Sequence, residues 1–271
     1  MTAKFFSKMY DRKAFLSQEP ETKKELLKLF NKKDKLLIFD IGGCEGEDSI
    51  RYSRLFPQAK VWVFEPLPEN QEIIKTNIEA SNLKNIQLFP IALSDQRGYS
   101  DFFVSSGRPD GVEPDTDWDF GNKSSSLLKP GGVLNTFTWL NFKSVIQVKT
   151  DTLHHIFADY QIEGIDFIHM DVQGAELRVL KGTKEYLKRI KAIWLEVSET
   201  PLYHNQPLKN DIHEFMIKNN FKLIKTAVKD GAGDLMYINS FYFKAIGLGK
   251  LQFFVRQKQS VNHKLSSRVS F

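Results

Sequence analysis

The stretch L-L-I-F-D-I-G-G-C-E-G, residues 36–46, determines the fold that we predict for this chain. Its apolar half predicts a buried strand over 36–41, and the spacing after the glycines predicts a helix over 46–56. Between these elements lie Gly42 and Gly43. A glycine-rich turn from a strand into a helix lets backbone approach a ligand closely, because glycine has no Cβ. The sequence therefore predicts a ligand-binding turn at the start of an α/β fold.

A second apolar segment, V-W-V-F-E-P (61–66), predicts a strand over 60–65 that ends in Glu65. In a doubly wound fold, an acid at the tip of the second strand, roughly 20 residues past the glycine turn, accepts hydrogen bonds from ribose hydroxyls. The turn and Glu65 together predict a nucleoside-binding site.

The charges around the turn distinguish between nucleoside ligands. Glu45 and Glu47 lie at the start of the predicted helix, where carboxylates stabilise the helix dipole but repel a pyrophosphate. A ligand with a cationic centre and an amino-acid moiety fits better, and we predict S-adenosylmethionine as the cofactor. A dinucleotide, or a glycine turn without a ligand, is the alternative. The predicted cofactor contacts are Asp40, Gly42, Gly43, Glu45, Glu65, Pro66, Ala92, Leu93, Ser94 and Asp171.

Strands and helices alternate from residue 36 onward, which predicts a parallel sheet with right-handed crossovers. We predict an α/β fold with a doubly wound, mostly parallel, seven-stranded sheet of the Rossmann-like class I methyltransferase type. An antiparallel C-terminal hairpin closes this sheet. The predicted strands include 36–41, 60–65, 86–91, 165–170 and 192–198, and the predicted helices include 46–56, 68–81, 151–160 and 207–220.

The chain divides into segments around this fold. Residues 1–34 are predicted to form an N-terminal helical cover with a helix over 19–31, and residues 35–244 form the cofactor-binding methyltransferase domain. Within that domain, residues 99–145 form an insertion that acts as a lid. Residues 245–271 form a basic C-terminal tail.

The predicted insertion, 99–145, is dense in glycine, proline and acids, and a long interruption of this kind is often functional. We predict that it covers the substrate and lacks regular strand pairing. Asp115, Asp117 and Asp119 match the first odd positions of a calcium-binding loop, but the glycine and final glutamate of that loop are missing. The histidines also lack metal-ligand spacing, so no metal is predicted.

Composition indicates a globular enzyme. The 271 residues are 41% hydrophobic. No apolar run approaches the length of about 18 residues that spans a membrane, and the first residues do not resemble a signal peptide. Cys44 is the single cysteine, which rules out an internal disulfide and favours the reducing cytoplasm as the location.

The formal net charge of +5 comes from the tail, where five basic residues have no acid among them. The rest of the chain is neutral, which argues against a nucleic-acid enzyme because such enzymes usually carry a basic stripe. The tail could contact an anionic membrane or a partner, but a solvated end is the favoured interpretation. The basic residues of the tail are Lys250, Arg256, Lys258, Lys264 and Arg268.

The strongest catalytic candidate is Asp171, which follows the predicted strand 165–170 at the carboxyl edge of the sheet, where open α/β folds bind ligands. It would face the acceptor or the methionine portion of the cofactor. The alternative is that it only caps the next helix. His169, on the same side of the strand, and His204, in a later loop, are the other candidate bases. The predicted substrate contacts are Ser124, Ser126, Glu176 and Glu196.

Several blocks of this sequence resemble the FkbM family of methyltransferases. They are D-I-G-G (40–43), F-E-P (64–66), I-A-L-S (91–94), S-S-S-L (124–127), V-K-T-D-T-L (148–153) and, most specifically, M-D-V-Q-G-A-E-L-R-V-L-K-G (170–182). The resemblance covers residues 36–225 and implies O-methylation, commonly of a sugar or polyketide hydroxyl. The block of the family usually has glutamate where this chain has Gln173.

We therefore predict an S-adenosylmethionine-dependent O-methyltransferase that acts on a hydroxyl of a sugar or glycan, with Asp171 or a nearby histidine accepting the proton. An N-methyltransferase for an amino sugar or small amine is one alternative. A non-catalytic S-adenosylmethionine-binding protein is another. The expected partner is a small-molecule or glycan acceptor rather than nucleic acid.

Overall fold

The computed structural model describes residues 16–109 and 119–242. The basic tail, the first part of the N-terminal cover, and Asp115 and Asp117 lie outside these ranges. None of the helices within the ranges is long and apolar enough to cross a bilayer.

The strands are β1 (Leu37–Ile41), β2 (Lys60–Phe64), β3 (Ile86–Phe89), β4 (Ala92–Leu93), β5 (Gly98–Gly107), β6 (Leu140–Asp151), β7 (Ile165–Met170), β8 (Ile190–Ser198), β9 (Phe221–Lys229) and β10 (Ala232–Asn239). The α-helices are α1 (Lys23–Leu29), α2 (Glu47–Leu55), α3 (Pro68–Ala80), α4 (Val133–Thr136), α5 (Leu153–Asp159), α6 (Glu176–Gly182) and α7 (Lys209–Lys218), and the 3-10 helices are η1 (Phe120–Ser124) and η2 (Lys184–Arg189).

Seven strands form the main sheet, in the order β3-β2-β1-β7-β8-β10-β9. Strand β10 is antiparallel to both of its neighbours, and the other pairs are parallel. The order reverses between β1 and β7, where Ile41 pairs with Met170. Open α/β sheets bind ligands outside the carboxyl ends of their strands at such a reversal. The predicted doubly wound fold with an antiparallel C-terminal hairpin is confirmed.

Helices bury both faces of the main sheet, as its near-continuous apolar strands require. One face packs on α5, α6 and α7 through residues such as Ile41, Ile168 and Leu195. The other face packs on α1 and α2 through residues such as Ile38 and Phe167. This packing fixes β1 and β7 in the centre of the molecule, so the loops that follow them have a rigid base.

Several elements are shorter than predicted, and two of them end early for a clear local reason. The helix predicted over 19–31 ends before Phe30, whose backbone is extended. The strand predicted over 86–91 stops before Pro90, because proline has no N–H to donate to a ladder. The chain then forms β4, which pairs with β6 outside the main sheet.

The insertion contains a long hairpin, so the prediction that it lacks regular strand pairing is wrong. Strands β5 and β6 pair antiparallel over ten register pairs, from Gly98–Thr150 to Gly107–Leu140. Together with β4 they form a second sheet in the order β4-β6-β5. Apolar side chains such as Phe102 and Val148 hold this sheet against the domain. The glycines and prolines that suggested irregular structure lie mostly between the two strands in the sequence.

Candidate active site

A cleft of about 490 Å³, including its open mouth, lies at the carboxyl edge where the strand order reverses. Residues of the main fold that line it include Gly42, Cys44, Glu65, Pro66, Asn70, Ala92, Leu93, Asp171 and Gln173. Residues of β5 and of the segment between β5 and β6 that line it are Phe102, Asn122, Lys123, Ser125 and Leu127.

The glycine turn is shaped by its protein neighbours. Gly42 has φ +83°, and a Cβ there would lie 1.8 Å from the carbonyl oxygen of Asp171. A Cβ on Gly43 would lie 2.1 Å from Cγ2 of Val63. Both positions therefore need glycine because strands β2 and β7 pass close by, whether or not a ligand is bound. Gly42 lines the cleft, and Gly43 lies behind it.

Glu65 fits the predicted role of ribose acceptor. Its carboxylate is buried, and its two oxygens accept the N–H groups of Cys44 at 2.9 Å and Leu67 at 2.8 Å. Burial raises the pKa of Glu65 to about 8, although these backbone N–H groups favour the charged form. Asn70 also donates a side-chain hydrogen bond to Glu65. A carboxylate has about four acceptor positions, so Glu65 can still accept a hydroxyl from a ligand in the cleft. The residues present therefore fit a nucleoside cofactor.

Several other predicted cofactor residues support the turn from behind. Asp40 is buried, and its Oδ2 accepts Ser49 N at 2.9 Å and Ser49 Oγ at 2.6 Å, which ties β1 to the start of α2. Burial raises the pKa of Asp40 to about 6. Glu45 accepts a hydrogen bond from the insertion, and Ser94 Oγ bonds to Asp95. The cleft itself is lined by Gly42, Glu65, Pro66, Ala92, Leu93 and Asp171, and not by Asp40, Gly43, Glu45 or Ser94.

Asp171 belongs to a cluster of acids beside the cleft. Oxygens of Asp171, Glu176 and Glu196 all lie within 4.8 Å of one another. The side-chain nitrogen of Gln173 donates to Asp171 Oδ1 at 2.6 Å and to Glu196 Oε2 at 2.9 Å. Burial, together with the nearby charge of Asp171, raises the pKa of Glu196 well above its usual range. Carboxylates this close can share a divalent cation, so a metal-free site stays a prediction.

Glu176 shapes the turn after β7. Its Oε1 accepts the N–H groups of Val172 and Gly174, both at 3.1 Å, and burial raises its pKa to about 7. Asp171 does not cap α6 as the alternative interpretation supposed, because the N-cap of that helix is Ala175, with no side-chain cap bond. The carboxylate of Asp171 instead points into the region of Gln173 and the cleft.

Tyr203 was missed by the sequence analysis. It is buried, and its hydroxyl lies 2.7 Å from the carbonyl oxygen of Ser124 and 3.0 Å from Gln173 Oε1. Ser126 Oγ donates to the carbonyl oxygen of Gln173 at 2.8 Å. Ser124 and Ser126 thus attach the insertion to Tyr203 and Gln173, and Ser125 is the serine that lines the cleft. The one local signal for Tyr203 was its place beside His204 in the loop after β8.

Neither candidate histidine lines the cleft. His169 Nδ1 lies 3.3 Å from the Tyr52 hydroxyl and 3.8 Å from Asp48 Oδ2, on the side of α2. Burial disfavours the charged imidazolium of His169, but Asp48 and Asp40 outweigh it and raise the pKa. His204 is exposed on the surface beside Gly131. Asp171 is therefore the one of the three predicted catalytic residues that the fold brings to the cleft.

Comparison with known proteins agrees with this architecture. The family model described as "Methyltransferase FkbM domain" matches residues 40–223. The chain is 33% identical over 218 residues to 2-O-methyltransferase NoeI of Sinorhizobium fredii (strain NBRC 101917 / NGR234), an alignment that covers 80% of this chain and 84% of that protein. It is 25% identical to Methyltransferase sdnD of Sordaria araneosa, with 55% of this chain and 60% of that protein covered.

Among solved structures, SMU.1697c, a putative methyltransferase of Streptococcus mutans in complex with SAH, aligns at a TM-score of 0.44 and 14% identity. The alignment covers 81% of this chain and 97% of that one, a similarity too low to transfer residue roles. The family match and the relative at 33% identity confirm the predicted resemblance. The chain belongs to the FkbM family of methyltransferases, and its cofactor is S-adenosylmethionine.

Proposed function

We propose that this methyltransferase transfers a methyl group to a hydroxyl of a sugar or glycan. The observation that carries the proposal is the pair of carboxyl groups at the edge of the cleft, with Asp171 lining it and Glu196 beside it. A hydroxyl is a poor nucleophile until its proton is accepted, and a carboxylate at the cleft can accept it. The name of 2-O-methyltransferase NoeI indicates an oxygen acceptor for that relative, which supports the same reaction class here.

When bound, S-adenosylmethionine supplies a methyl group that its sulfonium centre has already activated. The residues of this chain must bind, orient and deprotonate. Glu65 would accept hydrogen bonds from the ribose hydroxyls, and Ala92 and Leu93 would contact the adenine ring from the wall of the cleft. Methyl transfer needs the acceptor oxygen in line with the reacting bond, so correct positioning provides a large share of the rate.

Two acids of the cluster, Glu196 and Asp171, have different roles. Burial and the nearby charge of Asp171 raise the pKa of Glu196 well above its usual range, which favours its protonated form. Asp171 is then the carboxylate that faces the cleft and takes the acceptor proton. Gln173 donates to both acids and holds them in this arrangement. Tyr203 in turn contacts Gln173, so the base is fixed by a network rather than by one side chain.

The decisive experiment offers the purified enzyme methyl-labelled S-adenosylmethionine and a panel of acceptors. The panel contains neutral sugar glycosides, nucleotide sugars and amino sugars, each also in a form whose hydroxyls are blocked. We expect label on a sugar oxygen, located by mass spectrometry and nuclear magnetic resonance. Label found only on an amine nitrogen, or cofactor binding without transfer to any acceptor, would overturn the proposal.

We infer that the protein works in the cytoplasm. Support comes from Cys44, a free thiol that lines the cofactor cleft and that a reducing compartment would preserve. Cell fractionation with antibodies against the chain tests this inference. Recovery in the periplasmic or extracellular fraction would contradict it.

A further inference from the structure

The insertion folds back onto the glycine turn at a defined point. In η1, Asn122 Nδ2 donates to Glu45 Oε1 at 2.9 Å and to Asn70 Oδ1 at 3.2 Å. The next residue, Lys123, forms an ion pair with Glu47 at the start of α2. These contacts connect residues far apart in sequence, so the insertion places Lys123 beside the turn.

Lys123 also lines the cofactor cleft. Among the described residues that line this cleft, it is the single lysine or arginine, and the acids are Glu65 and Asp171. Nothing local to 119–124 links Lys123 to the glycine turn, so the sequence by itself does not predict this contact.

The cofactor has a carboxylate at its methionine end, next to two cationic groups. A carboxylate that moves from water into a protein site needs charged groups or N–H donors to replace its hydrogen bonds to water. In many folds a glycine turn provides its own N–H groups for such an anion. Here those groups are already used: the N–H groups of Gly42 and Gly43 donate to the carbonyl oxygen of Phe64, and that of Gly46 donates to Gly43.

The remaining N–H groups of the turn are engaged as well. Cys44 N donates to Glu65 Oε2 at 2.9 Å, and Glu45 N donates to Glu47 Oε2 at 3.1 Å. The turn therefore presents carboxylate groups to the methionine end of the cofactor, while its N–H groups are already hydrogen-bonded within the protein. The cationic donor at this cleft comes from the insertion: it is Lys123, whose ammonium group has three N–H donors and forms the ion pair with Glu47.

We propose that Lys123 binds the carboxylate of S-adenosylmethionine, so that the insertion recognises the amino-acid end of the cofactor. The inference deepens the assignment of the cofactor and does not depend on the acceptor.

The test compares two ligands by calorimetry: S-adenosylmethionine and its decarboxylated form, which differ only in the carboxylate. Charge-assisted hydrogen bonds of roughly 1.5–3 kcal/mol correspond to about 10- to 150-fold in affinity. We expect the wild-type protein to prefer S-adenosylmethionine by about that factor. Lys123→Met should lose this preference by weakening S-adenosylmethionine alone, and Lys123→Arg should restore part of it.

Two control variants separate recognition from a structural role. Lys129→Met removes an exposed lysine of the same insertion that does not line the cleft, and it should keep the wild-type preference. Glu47→Gln breaks the ion pair but leaves the ammonium, so it should also keep the preference. If Lys123→Met weakened both ligands equally, or if Glu47→Gln abolished the preference, Lys123 would only hold the insertion in place. Glu65→Ala should weaken the binding of both ligands alike. This variant therefore shows the pattern that is expected when the cofactor site as a whole is damaged.

Discussion

At the residue scale, the site rests on carboxyl groups that the fold keeps away from water. Glu65, Glu176 and Glu196 are acids whose burial raises their pKa values, and Glu65 lines the cleft directly. A buried acid is costly when charged unless hydrogen-bond donors surround it. Ligand hydroxyls supply such donors, so cofactor binding and the charge of Glu65 are linked.

Glu65 provides the first prediction. In the free protein its pKa is about 8, so it is mostly protonated at pH 7, and hydroxyl donors from the bound ribose would lower that pKa. Binding at pH 7 should therefore release up to one proton. Calorimetry in two buffers with different ionisation enthalpies measures this release. Glu65→Gln should abolish the release and weaken binding by about 10- to 150-fold; an unchanged proton count in this variant would remove Glu65 from the site.

Asp171 provides the second prediction. Asp171→Asn keeps the shape of the side chain and an oxygen for the amide of Gln173, so fold and cofactor affinity should persist. Turnover should fall by about 10²–10⁴-fold, the usual contribution of a general base. His204→Ala, on the exposed surface, is the matched control and should keep wild-type turnover. If Asp171→Asn turned over at the wild-type rate, Asp171 would not be the general base. If His204→Ala were the inactive variant instead, the base would be His204.

At the element scale, the functional loops depend on close approaches between strands. The turn after β1 passes within contact distance of the turn after β7, at Gly42 and Asp171. The hairpin of β5 and β6 carries η1, and η1 closes on the glycine turn through Asn122. The insertion is therefore a folded element attached at both of its strands, with its functional residues in the connection between them.

Gly42 provides the third prediction. Alanine at this position would meet both a positive φ and the carbonyl oxygen of Asp171 at 1.8 Å, so we expect a loss of unfolding free energy well above about 2 kcal/mol. Gly231→Ala is the matched control, because Gly231 has φ +88° but no atom within 4 Å of its added Cβ. That variant should lose only about 1–2 kcal/mol. Equal losses in urea denaturation would show that the strand contact at Gly42 does not matter.

At the scale of the whole molecule, buried acids should set the pH dependence of stability. Asp40 and Asp234 have pKa values raised to about 6, Glu176 to about 7 and Glu65 to about 8, in each case chiefly by burial. A group with a raised folded-state pKa contributes stability that is fully present below its unfolded-state pKa and is lost as pH rises through the folded-state value. The raised pKa of His169 acts in the same direction.

The fourth prediction follows from these groups. Without cofactor, the free energy of unfolding should decrease as pH rises from about 5 to about 8. Urea denaturation at constant ionic strength, at one-unit intervals of pH, measures the trend. In Glu65→Gln the decrease across this window should be smaller than in the wild-type protein, because that group no longer titrates. A stability that rises with pH across this window would contradict the burial of these acids.

The sequence by itself determined the doubly wound sheet, the glycine turn, Glu65 as an acid at the tip of the second strand, and the family. These features depend on hydrophobic period and on spacing within a few neighbouring elements, which are local properties of the chain. It also selected Asp171, because the end of a central parallel strand is a predictable place.

The tertiary structure alone decided which side chains meet at the cleft. Lys123 and Tyr203 reach the site from the insertion and from the loop after β8, and no local pattern reports contacts between segments so far apart. The same is true of the reason for glycine at position 42, which is the backbone of Asp171, 129 residues later. His169 and His204 were placed by periodicity and loop position, but packing turned one toward α2 and left the other in solvent. Sequence patterns specify faces and edges, whereas contacts across the molecule depend on how those faces pack.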